Sequence, residues 1–101
     1  MSPALNTVFR LDGEQTVRTI AETHQALAGQ YANADSLTID PTGLVDADLT
    51  LVQLIESLRR SAAQDNKRVC MSGPLPSALQ TILVRGGFLS TPDANLFWTA
   101  P

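Results

Sequence analysis

Asp46 and Asp48 stand two residues apart, just ahead of the apolar run Leu49-Thr-Leu-Val-Gln-Leu-Ile55, and are the carboxylates best placed for chemistry. Such a pair could hold a divalent cation, whose ligands are oxygens. It could equally supply a turn residue and a helix cap, since the positive end of a helix favours negative charge. Other reactive types are few: His24 is the only histidine and Cys70 the only cysteine. One of each falls short of the four side-chain ligands of a structural zinc site. His24 lies on the apolar side of a helical pattern and is expected as a helix-packing or interface residue; catalysis would need a nucleophile or carboxylate beside it. Cys70, between Val69 and Met71, is expected as a small hydrophobe within a strand. Gly86-Gly87 follows a helical pattern instead of opening one, so it reads as a helix stop and not as a phosphate loop. This inventory is too thin for most catalysis. It points to an interaction module, not an enzyme, with no metal or cofactor expected.

The surrounding elements must position these groups. Thr7–Leu11 reads as a strand, Asp12-Gly13 as a two-residue hairpin turn, and Glu14–Val17 as the returning strand. Thr19-Ile-Ala-Glu22 has capping-box spacing and opens a helix to about Tyr31, with Ile20, Ala21, His24, Leu27, Ala28 and Tyr31 on one face. Ser36–Asp40 is a short β-rich run, which Pro41-Thr42-Gly43 is expected to break. Asp48 then caps a second helix with Leu51, Leu54, Ile55, Leu58 and Ala62 inward. After a turn at Asp65-Asn66, Arg68–Ser72 reads as a strand. Pro76 suits the first turn of a third helix, with Leu79, Ile82 and Leu83 inward and Gly86-Gly87 at its end. Asn95–Trp98 fits an edge strand or a packed segment. The predicted class is α/β: a mixed, mostly parallel sheet of four to five strands with three or four helices, joined by right-handed crossovers.

The 101 residues suit a single domain, taken as 1–101, and an apolar fraction of 44% is ordinary for a globular chain. Net charge is -3, and the seven Lys and Arg are scattered, with Arg59-Arg60 and Lys67-Arg68 the only adjacent pairs. That excludes a basic nucleic-acid-binding stripe. A single cysteine allows no internal disulfide and fits a reducing compartment. With no basic-then-apolar leader and no apolar run near about 18 residues, a cytoplasmic protein without direct membrane insertion is expected.

The order of these segments resembles one bacterial family. Asp40 at a strand end, Asp48 followed by Leu-Thr-Leu-Val-Gln-Leu-Ile55, Lys67-Arg-Val-Cys-Met-Ser-Gly-Pro74, Ala78-Leu79 through Gly87-Phe88, and Thr16-Val-Arg-Thr-Ile-Ala-Glu22 together look like the STAS domain of anti-sigma factor antagonists. The similarity runs from about Val8 to Leu89. It implies a STAS fold and a protein that acts in signal transduction by protein–protein interaction, with no catalytic residues. Its implied docking surface centres on the Pro41–Thr50 loop and the outer face of the second helix: Thr42, Gly43, Asp46, Asp48, Leu49, Thr50 and Gln53. The partner implied is an anti-sigma-like kinase or a chemotaxis-type regulator. An alternative is the ATPase of a lipid-trafficking ABC transporter, which some single-domain STAS proteins serve as a subunit. In the family an Asp is followed by a Ser or Thr that the partner kinase phosphorylates. Here that position is Leu49 if Asp48 matches the family's Asp, or Ala47 if Asp46 does. Thr50 comes one residue later, turned by about 100° on a helix, and is a poor substitute. The resemblance therefore implies partner binding without the usual phospho-switch. An exposed hairpin edge or apolar helix face would also let two copies pair.

Overall fold

A computed structural model describes residues 6–99. The elements are β1 (Asn6–Gln15), α1 (Ile20–Asn33), β2 (Ser36–Ala47), α2 (Leu49–Asp65), β3 (Arg68–Met71), α3 (Ser77–Arg85) and α4 (Pro92–Thr99). The class is α/β, as the alternation of patterns implied. Among the described residues the sheet has three strands in the order β1-β2-β3, and both pairings are parallel. The mixed sheet of four to five strands is not what these residues form.

The expected hairpin accounts for much of that difference. Asp12-Gly13 is not a turn: β1 runs through it, parallel to β2. Gly13 does adopt a positive φ of 65°, the feature that suggested a hairpin, but it serves an irregularity in the ladder. Arg10 pairs with Asp40 and Asp12 with Gly43, so β2 sets Pro41 and Thr42 against Leu11 alone. Gly13 pairs with Leu44 and Glu14 with Asp46, which leaves Val45 as a second extra residue. Such bulges also explain why Pro41-Thr42-Gly43 does not end the strand. Proline is tolerated where the ladder is already interrupted, and the Thr42 amide donates instead to Asp40 Oδ1 at 3.0 Å.

Residues alternate across the sheet. Phe9 and Leu11, Leu37 and Ile39, and Met71 point to one face and join Leu27, Leu51, Val52, Ile55, Leu58, Leu79, Leu83 and Trp98 in a single core. Burying each of these large side chains fully is worth roughly 1.5–3 kcal/mol. The alternate residues Val8, Arg10, Arg68 and Cys70 are exposed. Cys70 is thus not the buried hydrophobe expected. The period of two that buries Met71 turns Cys70 outward, beside Thr38 Oγ1 at 3.5 Å.

α1 is held more thinly than its pattern implied. Leu27 is its only buried residue, and Ala21, His24 and Ala28 are exposed. His24 borders a shallow cleft between α1 and α2 and is not packed within the core. Thr19 precedes α1 but makes no side-chain cap bond. Its hydroxyl donates to the Glu14 carbonyl at 2.9 Å and accepts the Thr16 amide at 3.0 Å, so the capping box does not form.

α2 ends at Asn66 in the left-handed conformation, as a turn there required. Pro76 takes the cap position before α3, one residue outside the first turn. The tail is the packed segment and not an edge strand: it forms α4, with Thr91 Oγ1 accepting the Ala94 amide at 3.2 Å. Trp98 is buried and its Nε1 donates to Glu56 Oε2 at 2.8 Å. Glu56 Oε1 meets Arg59 at 2.8 Å, and the Arg59 guanidinium lies 5.2 Å from the Phe97 ring centre. α4 thereby clasps the middle of α2. Among the described residues, no helix is long and apolar enough to cross a membrane.

Candidate functional site

β3 pairs only with Ser36–Ile39, whereas β1 and β2 stay paired to Gln15 and Ala47. The ends of β1 and β2 therefore project past the third strand as a two-stranded parallel ribbon, and α2 starts from its tip. Every sequence-predicted docking residue except Gln53 lies on this ribbon or in the first turn of α2.

The ribbon is built from short polar links. Asp40 Oδ1 accepts from the hydroxyl of Thr42 at 2.7 Å and from its amide at 3.0 Å. The hydroxyl first, then the amide, and also the nearby Arg10 charge hold the Asp40 carboxyl below the usual carboxylate range. Gly43 lies against the exposed Asp12 side chain: a Cβ there would meet Asp12 Oδ1, which would have to turn aside. Glu14 Oε2 accepts from the buried Thr16 hydroxyl at 2.9 Å. Thr16 O in turn accepts the amides of Thr19 and Ile20 at 2.9 and 2.8 Å.

Asp48 joins the two halves of the tip. Oδ1 accepts the Thr50 amide at 3.0 Å and also takes the Thr50 hydroxyl, which caps α2 as the sequence predicted. Oδ2 accepts the Val17 amide at 2.8 Å, across 31 residues of chain. Partial burial opposes the charge on Asp48 and is the largest single influence. The Thr50 hydroxyl and the amides of Val17, Thr50 and Leu51 together outweigh it, so the pKa is lowered.

The structure thus brings Thr42, Gly43, Asp46, Asp48, Leu49 and Thr50 to one end of the molecule, with Gln53 exposed one turn along α2. Leu49 is 46% exposed, as a contact residue there must be. Asp46 is exposed, and Oδ1 accepts its neighbour Ala47 amide at 2.9 Å. Asp46 and Asp48 do not converge into a metal centre: among the described residues, no group of three or more His, Cys, Asp or Glu side chains is arranged to hold a metal ion.

Two members of this surface escaped the sequence reading. Val17, 69% exposed, follows the end of β1, and Val45, 78% exposed, is the extra residue of the second bulge. With Leu49 they make three exposed apolar side chains on or beside this end of the ribbon. A signal for Val45 was available, because Leu44 continues the inward set and its neighbour must then point out. Nothing local marks Val17, whose place is fixed by its bond to Asp48. A separate cleft of about 480 Å³ runs along β3 and is lined by Ser36, Thr38, Arg59, Lys67, Arg68 and Cys70. None of the predicted site residues reaches it, and Lys67 is already engaged with the carbonyls of Tyr31 and Ala32. In comparisons with known proteins, no family model matches the chain and no curated protein matches it.

Proposed function

We propose that this protein is a partner-binding adaptor of the STAS, anti-sigma factor antagonist-like type, and that it docks through the ribbon tip and the first turns of α2. One observation carries the reading: Val17, Val45 and Leu49 are each exposed on or beside the ribbon end that Asp48 ties to α2, a strand-to-helix junction stiffened by its own hydrogen bonds. Apolar side chains clustered at a rigid junction suit recognition, because little order is lost when a partner covers them. Thr42, Asp46 and Gln53 would form the polar margin, with Gly43 beside the Asp12 carboxylate.

The adaptor lacks the family's phospho-switch in this reading. Leu49 and Ala47 carry no hydroxyl. The Thr50 hydroxyl is bound to Asp48 and half-buried. Phosphate there would stand against Asp48 itself, a like charge at the same cap.

The partner should first be recovered from the host with the intact chain and then purified, so that affinity is measured directly. Leu49→Glu is expected to weaken that affinity by roughly tenfold or more, with the urea unfolding midpoint unchanged. Unaltered affinity would place the docking surface elsewhere. Incubation with ATP-loaded candidate kinases should leave the mass of the protein unchanged; a phosphate on Thr50 would overturn the claim that no switch is present.

A further inference from the structure

The ribbon tip also has a sign. Asp12, Glu14, Asp40, Asp46 and Asp48 gather there from β1, β2 and the start of α2, against Arg10 and Arg18 alone. The chain holds ten acidic and seven basic residues, for a net charge of -3. Glu22, in the first turn of α1, stands at the same end, which therefore carries six acids against two bases, while the four acids and five bases elsewhere nearly cancel. Asp12, Glu14 and Asp46 are exposed, while Asp40 and Asp48 are half-buried in their own turns. The Thr50 and Leu51 amides at the start of α2 are already taken by Asp48, so that helix end is not open to an anion.

We infer that the docking surface takes a cationic protein partner, one whose contact face sets apolar side chains inside a ring of lysine and arginine. This rests on the docking reading above and specifies the chemistry of what docks. Val17, Val45 and Leu49 supply the apolar centre, and Asp12, Glu14 and Asp46 supply the rim. A rim of one sign steers a partner of opposite sign and repels others, an effect that salt removes. A second copy of this chain would bring its own acidic tip against this one in a symmetric pairing, so self-association through the patch is disfavoured.

The test uses three synthetic 18-residue amphipathic helices with the same leucine face and with lysine, glutamine or glutamate on the polar face. Each is titrated into the isotopically labelled full chain and followed by amide NMR shifts. The lysine peptide should shift amides of residues 12–18 and 44–50 and bind roughly tenfold tighter than the glutamine peptide at low salt. The glutamate peptide should not bind. Asp46→Lys should weaken the lysine peptide several-fold and Arg18→Glu should tighten it, a gain that damage to the fold would not produce. Asp93→Lys, on α4, should change nothing. If lysine and glutamine peptides bind the patch equally, the charge inference falls and the docking reading stands. If neither shifts those amides, or the lysine peptide binds elsewhere, the docking reading falls with it. A concentration-dependent dimer that buries the same amides would overturn the choice of partner.

Discussion

Replacing Asp48 with alanine tests the junction on which the site depends. The change removes the cap bond to the Thr50 amide at 3.0 Å, the bond from the Thr50 hydroxyl, and the bond to the Val17 amide at 2.8 Å. Loss of an aspartate cap to alanine costs about 1 kcal/mol. The bond to Val17 is charge-assisted but solvent-exposed, so about 1 kcal/mol is a suitable discounted value. The expected total is about 2 kcal/mol. With an unfolding slope near ~1 kcal/mol/M in urea, the midpoint should fall by roughly 1.5–2 M. In a thermal scan the fall should be about 8–15 °C.

Asp48→Asn keeps an acceptor at the cap and should lose about half as much or less. The two variants also separate charge from geometry through pH. A carboxyl whose folded pKa is lowered contributes stability that is present above its unfolded value of about 4 and is lost as pH falls through the folded value. The gap between the parent protein and Asp48→Asn should therefore be full at pH 7 and close progressively below about pH 4. An Asp48→Ala cost under about 0.5 kcal/mol, or an asparagine as damaging as alanine, would refute the claim that Asp48 holds the tip together.

Three further outcomes follow from the same geometry. Trp98→Ala should destabilise the domain by about 3–5 kcal/mol in urea unfolding, since it empties a buried site and frees the Glu56 carboxylate; Trp98→Phe should cost less, mainly through the lost bond to Glu56. Gly43→Ala should cost about 1 kcal/mol by forcing Asp12 from its rotamer, and Asp12→Ala in the same chain should recover most of that, because the obstructing atom is Asp12 Oδ1. Tyr31, the only tyrosine, is pushed up to about 12 by burial, by its hydrogen bond to Asp65 and by the Asp65 charge. Absorbance titration should find it there and find it lower in Asp65→Asn. Its share of stability should persist below the ordinary value of about 10 and be lost as pH rises toward about 12.

Elements with a strong local period were legible in the sequence. The stripe Leu51, Ile55, Leu58 and Ala62 and the Asp48 cap fixed α2 almost completely, and Leu79 and Leu83 fixed the face of α3. Positive φ at Gly13 and interruption at Pro41 were also correctly sensed, but as ends of strands. Both features serve turns and bulges alike, and only the partner strand decides between them: opposite β2 the chain continues, and the spare residues are absorbed in the ladder. α4 was missed although Thr91-Pro92-Asp93 carries a cap, a first-turn proline and a first-turn acid. The β-rich Leu96-Phe-Trp98 competed with those signals, and burial of Trp98 against α2, a long-range fact, settled the matter. Cys70 was misjudged for a related reason, since an apolar neighbourhood in sequence does not specify which face of a sheet is covered.

The candidate site was visible as a list of residues but not as one end of a ribbon. Parallel strands in sequential order send all their carboxyl ends to one edge, where α/β proteins bind ligands. Right-handed crossovers between such neighbours also carry successive helices over one face. That accounts for a single core and for an opposite face on which Val8, Arg10 and Cys70 stay exposed. Because β3 stops at Met71, the ends of β1 and β2 must stand without a third strand, and a two-stranded piece alone is marginal in water. Its stability has to come from the tip, from Thr42 on Asp40, from Thr16 and Thr19 around Glu14, and from Asp48 tying Val17 to α2. The same acidic groups that hold the ribbon also give it its charge. The rigidity of the ribbon end and its negative sign are then two consequences of one arrangement, and removing Asp48 should weaken both.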